Sequence, residues 1–416
     1  MKKAIAIALI VVMSALTLSA ADFDFSESTY FTLASPFTKT SARISAMGGA
    51  GLAVFNNQDS LYINPASLGG KGLVFNLPNA AVTLYNVKDL VVESGLLEQV
   101  IEDPSVIAEN PMEYIGDILD PVLRPGNTKL ATVDAGIGFK AGRFAFAIDS
   151  QVNLNISNPS AGISQLQIVP QVDLAATMGL GFRFFRDKAF NLDVGVSAAL
   201  QVRAFMEKVS WSDLNGDLMQ DPMAYLDKKP IAIGWAVPLT VGVNINMPFG
   251  FTIANVVSNI QLVNGGYNYV VQDSHNDFVD DPMGTVSGIF TNDAVYTAKS
   301  DFIYSAGIGW SPDLGGWEWL IDPTIAVDVV DIVGLVQDPS LNTFLYRLKA
   351  GAEIQLFKFL ELRGGLNSGY ATLGAGINLF NVIHLEASYY WNEFGQQLGA
   401  QPVDALTIRV NIGWER

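Results

Sequence analysis

The chain has 416 residues, of which 50% are hydrophobic and 16% are charged, with a net charge of −17 and no cysteine. This acidic balance excludes nucleic acid as a partner, and the lack of cysteine argues against disulfides, thiolate metal sites and a lipidated cysteine. The mean hydropathy is +0.28, yet beyond the amino-terminal run no stretch of about 18 apolar residues appears, so we expect no transmembrane helix.

The amino terminus has the pattern of a secretory signal peptide. The basic start Met1-Lys2-Lys3 precedes an apolar run over residues 4–20, and Ser19-Ala20-Ala21 offers a cleavage site of small residues. We therefore expect residues 1–21 to be a signal peptide that is removed on export. The alternative, a retained membrane anchor, fits poorly with so short a run that ends in small residues.

Most of the remaining chain alternates between apolar and polar residues with the period of a β-strand. In the segment 166–182 the even-numbered positions are apolar, whereas the odd-numbered ones, apart from Val169, are polar or small. Strands that show one face to hydrocarbon and the other to a wet lumen have this pattern. We predict about fourteen strands, at residues 73–85, 129–139, 143–154, 164–184, 190–204, 231–247, 249–262, 301–310, 317–330, 343–356, 359–367, 371–379, 382–391 and 404–414.

The connections between these segments are alternately short and long. Bacterial outer-membrane barrels have short periplasmic turns and long extracellular loops, so we expect a periplasmic amino terminus. Aromatic residues cluster beside the short turns, as in an interfacial girdle: Phe139, Phe144, Phe182, Phe190, Phe249, Phe251, Trp310, Trp319 and Trp414. The predicted fold class is therefore all-β, a transmembrane antiparallel β-barrel surrounded by outer-membrane lipid. The last segment closes on Trp414 and resembles the signal that the barrel-assembly machinery reads.

Residues 22–70 do not form a strand array. The Gly/Ala-rich run 46–53 is followed by Asp59 and then by Asn64-Pro65-Ala66, just before the first predicted strand. This opening resembles the amino-terminal plug of the long-chain fatty acid outer-membrane transporters (FadL/TodX type). The resemblance implies a fourteen-stranded barrel over residues 71–416 with an N-terminal hatch over residues 22–70. It also implies a set of hatch residues that handle ligand: Gly48, Gly49, Gly51, Asp59, Asn64, Pro65 and Ala66.

The insert 86–128 is expected to be helical and extracellular. Its apolar residues recur at helical spacing, and several prolines divide it into short helices. One interpretation is an outer groove that binds a hydrophobic ligand, formed by Leu90, Leu97, Val100, Ile101, Ile115, Ile118 and Leu119. The alternative, which we favour, is that these apolar faces pack against each other and cover the barrel.

Two further features of the predicted wall bear on function. Pro170 interrupts a long strand and removes a ladder donor, so it marks either a lateral opening or, more simply, a tolerated bulge. The lumen-facing positions carry similar numbers of acidic and basic residues, which predicts ion pairing and a narrow lumen.

No catalytic arrangement, metal site or cofactor motif stands out, and the two histidines, His275 and His384, are isolated in sequence.

The resemblance implies passive uptake of hydrophobic small molecules such as long-chain fatty acids, without enzymatic activity. The alternative is a protein-binding barrel, because residues 348–353, 362–370, 373–376 and 389–399 are similar to the carboxy-terminal strands of PorV-like and TraF-like relatives. Such a barrel would hold exported proteins at its extracellular loops. A porin is the third possibility; the hatch and the paired lumen charges disfavour a general diffusion pore, which leaves a plugged porin.

Overall fold

The structure, a computed structural model, describes residues 23–54, 59–70, 72–93, 125–160, 162–185, 190–216, 221, 225, 229–272, 290, 294–380, 382–395 and 397–415. The predicted signal peptide, residues 1–21, lies outside the described residues, as does most of the insert 86–128.

The described chain forms a closed antiparallel barrel. Its strands are β1 Leu73–Tyr85, β2 Gly126–Ala141, β3 Phe144–Asn158, β4 Gln167–Phe184, β5 Asn191–Met206, β6 Val209–Ser210, β7 Ile231–Ala236, β8 Pro238–Asn246, β9 Phe251–Gln261, β10 Gly266–Gln272, β11 Tyr296–Lys299, β12 Ile303–Trp310, β13 Ile321–Val329, β14 Leu348–Leu356, β15 Leu360–Asn367, β16 Tyr370–Leu379, β17 Ile383–Glu393 and β18 Pro402–Glu415. The barrel closes because β1 pairs with both β2 and β18. Three pairs of consecutive strands (β7 with β8, β9 with β10, β11 with β12) each continue one wall strand, and β6 only extends the edge beside β4. The wall therefore has 14 strands, as predicted.

The helices of the described residues are short. They are α1 Ala42–Ala46, α2 Ser60–Ile63, α3 Trp211–Asn215, α4 Ile332–Gln337 and α5 Leu341–Arg347, with 3-10 turns at Pro65–Gly69, Ile163–Gln165, Pro248–Gly250 and Gly315–Trp317 and a π-helical turn at Lys88–Glu93. In the part of the chain that the structure describes, no helix has the length and apolar character needed to cross a membrane.

The alternation read from the sequence corresponds to two chemically different faces. On β4, Leu174, Met178 and Leu180 are exposed on the outside, whereas Asp173 and Thr177 are buried inside. The same arrangement recurs around the wall, with an apolar exterior and a polar interior. An apolar outer band on a closed barrel suits a lipid environment, because the backbone groups of neighbouring strands are hydrogen-bonded to each other and the barrel has no open edge.

The sequence prediction differs from the structure in two places. Residues 343–347, predicted as the start of a strand, belong to α5, since Ser340 caps this helix by accepting a hydrogen bond from the Thr343 amide at 3.1 Å. The predicted loop 263–300 contains β10 and β11, whose aromatic and β-branched residues lengthen the wall beyond β9 and β12.

Three neighbouring wall strands are interrupted at the same height. Val237 separates β7 from β8, residues 262–265 separate β9 from β10, and residues 300–302 separate β11 from β12. The gaps are adjacent, because the Leu262 amide donates to the Val237 carbonyl at 3.0 Å and the Ser300 amide donates to the Gly265 carbonyl at 3.0 Å. We call β7–β12 the interrupted side of the barrel.

The described parts of residues 23–70, which we call the hatch, run through the inside of the barrel. At one end Tyr30 packs on Phe205, next to the long connection after β5, with ring centroids 5.6 Å apart. At the other end Gly69 lies against the backbone of Phe182 and Arg183, next to the short turn after β4. The hatch thus passes from the long-connection end to the short-turn end before it enters β1.

Candidate functional site

The predicted hatch glycines lie directly against the wall. Gly48 and Gly49 have left-handed backbones, with φ of 67° and 85°, and a Cβ at Gly48 would overlap the backbone of Ala350 and Leu366. The amide of Gly51 donates to the buried carboxylate of Asp328 at 2.7 Å. Glycine is required at Gly48 both by its conformation and by this close approach.

The wall carries matching glycines that sequence reasoning missed. A Cβ at Gly195 would overlap the Pro65 carbonyl, one at Gly242 would overlap the Asn64 side chain, and one at Gly365 would overlap Met47 and Gly48. All three lie on wall strands whose lumen faces are mostly polar. Glycines at lumen-facing positions therefore trace the footprint of the hatch, and this is a signal that the sequence contained.

Asn64 holds the turn that leads out of the hatch. Its Oδ1 accepts from the Ala66 amide at 3.0 Å and so caps the 3-10 turn that begins at Pro65. Its Nδ2 donates to the Leu52 carbonyl and to Asn244 Oδ1, both at 2.7 Å. The side chain is 1% exposed. The Asn-Pro-Ala motif thus joins two parts of the hatch to strand β8.

Asp59 is clamped to the last strand of the barrel. Its two oxygens accept from Arg409 at 2.7 and 2.8 Å, and both side chains are almost fully buried. Burial disfavours the charged form of Asp59, but the Arg409 guanidinium outweighs this penalty and holds the pKa of Asp59 below its usual value. The clamp is therefore intact at neutral pH and is lost only as the pH falls through that lowered pKa.

The clamp belongs to a larger charged network that spans β14 to β18. Arg43 of the hatch pairs with Glu353 at 2.5 Å, and Glu353 also pairs with Arg363 at 2.5 Å. Arg363 continues to Glu386 at 2.9 Å. The predicted pairing of lumen charges is confirmed here, and it also holds for Asp173 with Arg203 at 2.5 Å. We call β13–β18 the sealed side, because the hatch is fixed to these strands by ion pairs and by close backbone contacts.

A cavity of about 280 Å³, the mid-barrel cavity, lies between the hatch and the interrupted side. Hatch residues 36–39 and 59–63 form one wall, and β4, β5, β8, β9 and β12 form the other. Its lining mixes apolar residues such as Phe37 and Ile303 with hydroxyl and amide groups such as Ser197 and Gln201. Such a mixture suits a ligand with an apolar body and a small polar end.

The mid-barrel cavity reaches the gaps in the interrupted side. Pro238, Asn259 and Ile303 border it, and they lie next to the three strand interruptions. Asn259 closes the wall there, since its Nδ2 donates to Ser300 Oγ and to the Asp301 carbonyl, both at 2.7 Å. The Asn259 backbone is left-handed, with φ of 58°, and its side chain is 4% exposed.

A second cavity, the inner vestibule, has about 390 Å³ and lies on the short-turn side of the hatch. Its lining includes Asn76, Asn246, Thr252 and Lys140 from the ends of wall strands. It is separated from the mid-barrel cavity by side chains of the hatch, among them Lys39 and Tyr62. Both of these contact Asp149 of β3, Lys39 by an ion pair and Tyr62 by a hydrogen bond.

The long-connection end is closed by an aromatic cluster. Phe25 stacks on Tyr296 with centroids 4.7 Å apart, and Phe23 packs on both Phe25 and Tyr30 at 4.9 Å. Tyr269 adds its ring to this cluster and donates to the Leu33 carbonyl at 2.8 Å. No sequence motif pointed to residues 23–35, and their role as a cover over the mid-barrel cavity is evident only from the fold.

The outer groove is largely outside what the structure describes. Leu90 packs with Ile156, Leu166 and Trp211 at the long-connection end, as expected if the apolar faces of the insert pack against protein. The other predicted groove residues lie outside the described residues: Leu97, Val100, Ile101, Ile115, Ile118 and Leu119.

Pro170 lies in a part of β4 that is fully paired on one side only. Its pairing with β3 is continuous, and Pro170 lies opposite Leu154. On the other side, Val169 and Pro170 fall between the residues paired with β5 and those paired with β6. A proline costs the ladder least where one neighbour is already missing. The lateral opening at this residue and its alternative, the tolerated bulge, both stay predictions.

In the described part of the chain, no group of three or more acidic, histidine or cysteine side chains is placed to hold a metal ion. The arrangement that remains is a barrel with a fixed hatch, two internal cavities and a locally interrupted wall.

Comparisons with known proteins agree in architecture at low identity. No family model matches the sequence, and no curated protein matches it. Among solved structures, the chain is similar to the Pseudomonas putida toluene transporter TodX, at 11% identity and a TM-score of 0.46, covering 91% of this chain and 98% of that one. It is also similar to the Ralstonia pickettii toluene transporter TbuX (12%, 0.42, 93% and 99%) and to a Pseudomonas aeruginosa FadL homologue (10%, 0.41, 91% and 98%).

Proposed function

We propose that the chain is a bacterial outer-membrane barrel for the passive uptake of hydrophobic small molecules. The ligand enters from the long-connection end, which faces outward, occupies the mid-barrel cavity and leaves sideways into the membrane through the interrupted side. The observation that carries the proposal is the position of the mid-barrel cavity directly behind three adjacent strand interruptions.

The apolar exterior of the wall supports a sideways exit for an apolar molecule. The exterior around the interruptions is apolar, with Leu262 56% exposed and Phe302 53% exposed. A ligand that leaves here passes from a partly apolar cavity into hydrocarbon without crossing water, which is favourable for an apolar body. The hatch blocks the straight path along the barrel axis.

Asn259 is the residue that closes this exit. Its two donated hydrogen bonds hold β9 to the residues between β11 and β12. Loss of these bonds leaves the wall gap bridged by fewer contacts, so opening becomes easier. The hatch residues Asp59, Asn64, Pro65 and Ala66 fix the floor of the cavity, and Gly48, Gly49 and Gly51 fix the hatch to the sealed side.

The proposal is tested with the purified barrel in liposomes. We expect Asn259→Ala to speed the transfer of a fluorescent fatty acid into the liposome membrane. Asn255→Ala is the matched control, because Asn255 lies on the same strand and accepts from Tyr304 at 2.8 Å, away from the cavity lining. Mass spectrometry of lipid extracted from the folded protein, against a control barrel, then names the bound class. Equal transfer rates for both variants and the parent, together with no enriched lipid, would refute the proposal.

A second candidate is a protein-binding barrel. Helices α4 and α5 at the long-connection end expose Val336 and Leu341, each 72% exposed, and exposed apolar residues on rigid elements suit a protein partner. This candidate predicts that Val336→Ser with Leu341→Ser abolishes binding of an exported protein while lipid content stays the same. The opposite pattern favours uptake.

A further inference from the structure

The mid-barrel cavity and the inner vestibule are neighbours along the barrel axis. They share four bordering residues, all from the hatch: Lys39, Asp59, Leu61 and Tyr62. Among the described residues, a residue that borders both cavities forms the layer between them at that point, so the partition there is one residue thick.

Two of the four partition residues, Lys39 and Tyr62, are held by a single wall carboxylate, Asp149. The Tyr62 hydroxyl donates to Asp149 Oδ2, and the Lys39 ammonium pairs with Asp149 Oδ1. The Lys39 ammonium also lies 5.1 Å from the centroid of the Tyr62 ring. Asp149 is 2% exposed, so each partner satisfies a charge that would otherwise be buried without compensation.

The rest of the hatch is sealed in a different way. Around Met47, Gly48, Pro65 and Gly69, backbone lies against wall glycines, and such a contact opens only if the hatch moves as a body. At Lys39 and Tyr62 the seal consists of side chains that reach across to the wall. Rotation of these side chains opens the partition while Asp59 stays bound to Arg409 at 2.7 Å.

The inner vestibule offers polar groups to a solute. Amides and hydroxyls from Asn76, Asn246, Thr252 and Ser311 border it together with Lys140, beside apolar residues such as Leu68 and Phe146. A hydrophilic solute can exchange its hydrogen bonds to water for bonds to these polar groups. The vestibule can therefore accommodate a hydrophilic solute.

We propose that Lys39, Tyr62 and Asp149 form a gate between the two cavities, through which small hydrophilic solutes pass along the barrel axis. In the closed state both hatch side chains are bound to Asp149. When they rotate away, the mid-barrel cavity joins the vestibule. This path is separate from the sideways exit at Asn259 and does not depend on it.

The natural absence of cysteine makes a direct test possible. Ser197 borders the mid-barrel cavity and Ala145 borders the inner vestibule, so Ser197→Cys and Ala145→Cys report on each space. The folded full chain in detergent is treated with a charged methanethiosulfonate reagent, and the rate of thiol modification is measured. In the parent background we expect rapid reaction at position 145 and slow reaction at position 197.

Opening the gate should expose the mid-barrel cavity to the reagent. We expect Tyr62→Ala to raise the rate at position 197 on the order of tenfold, since a constriction controls access by its width, with no change at position 145. The matched control is Tyr85→Ala, which removes the same volume from a buried lumen position that borders neither cavity in the described structure. Lys39→Met, with Lys129→Met as its control, is the second variant, and it removes the ion pair while keeping the side-chain length.

Heat-dependent migration on gels shows whether each variant is folded. Rates at position 197 that are equal in Tyr62→Ala, Lys39→Met and both controls would overturn the gate, as would a parent rate at position 197 equal to that at position 145. The fatty acid transfer assay with Asn259→Ala is run on the same preparations. If Asn259→Ala transfers fatty acid faster but the gate variants leave the modification rate at position 197 unchanged, only the gate is refuted. If the gate variants raise that rate but Asn259→Ala does not transfer fatty acid faster, only the sideways exit is refuted.

Discussion

The sealed side and the interrupted side of the barrel hold the hatch in opposite ways. On β13–β18 the hatch is fixed by buried ion pairs and by backbone set against glycines such as Gly351 and Gly365. On β7–β12 the hatch contacts the wall through neutral groups, such as Asn64 with Asn244 at 2.7 Å, a cavity separates hatch and wall beside the gaps, and the wall itself is interrupted. The difference shows that a plugged barrel can be rigid where the plug is anchored and yet keep room to open on the opposite wall. The following changes test this contrast.

The largest effect is expected from the clamp of the sealed side. Arg409→Met leaves the buried carboxylate of Asp59 without its cation, which costs about 3–5 kcal/mol when one partner of a buried pair is removed. The free energy of unfolding is measured by denaturant titration in detergent micelles. Arg347→Met is the control, because Arg347 pairs at 2.9 Å with Asp331, a carboxylate that is 35% exposed, and such pairs contribute below about 1 kcal/mol. Equal losses for the two variants would contradict the contrast.

A smaller effect is expected from a single methyl group on β15. Gly365→Ala places a Cβ into the backbone of Met47 and Gly48, and such overpacking costs about 1–3 kcal/mol. Gly364→Ala is an internal control, since the nearest atoms to its Cβ are 3.7 Å away. Faster proteolysis of the hatch in Gly365→Ala, but not in Gly364→Ala, would show that the hatch has been pushed from the wall. Identical behaviour would mean that the hatch adjusts without cost.

The smallest effect is expected in the gap between β9 and β10 on the interrupted side. Asn264 is exposed with φ of 48°, so Asn264→Gly should change the free energy of unfolding by less than about 0.5 kcal/mol. On the sealed side, Ser368 has a similar φ of 51° but accepts from Lys349 at 2.7 Å and is 4% exposed. There Ser368→Gly should cost about 1 kcal/mol or more. The same thermal melts compare both variants, and a larger loss for Asn264→Gly would reverse the contrast.

The sequence predicted the wall well because its signal is local. Alternation along β4 requires only that each residue faces lipid or lumen, and Met178 and Asp173 obey this rule without reference to other strands. The paired lumen charges followed from the same parity. The strand interruptions could not be predicted in this way, because residues 249–262 were predicted as one strand and the residues of β10 as part of the loop that follows it.

The candidate site was predictable only in part. The glycines and the Asn64-Pro65-Ala66 motif identified the hatch, but their partners come from distant strands, so the contact of Gly195 with Pro65 required the fold. Lys39 and Asn259 belong to no motif that we recognised, and Tyr62 lies within the plug-like segment 59–68 without an assigned role. Their positions follow from register and from the path of the hatch, which bring together residues far apart in sequence: Asn259 and Ser300 are 41 positions apart, and Tyr62 and Asp149 are 87 positions apart.

The bond between Asp59 and Arg409 has a consequence for how the molecule is made. Arg409 lies on β18, which is also the strand that pairs with β1 to close the wall. The partner of Asp59 is thus delivered to the lumen by the same step that completes the cylinder. A hatch left outside at that moment would face a finished wall, so its insertion and the closure of the barrel belong to one assembly event.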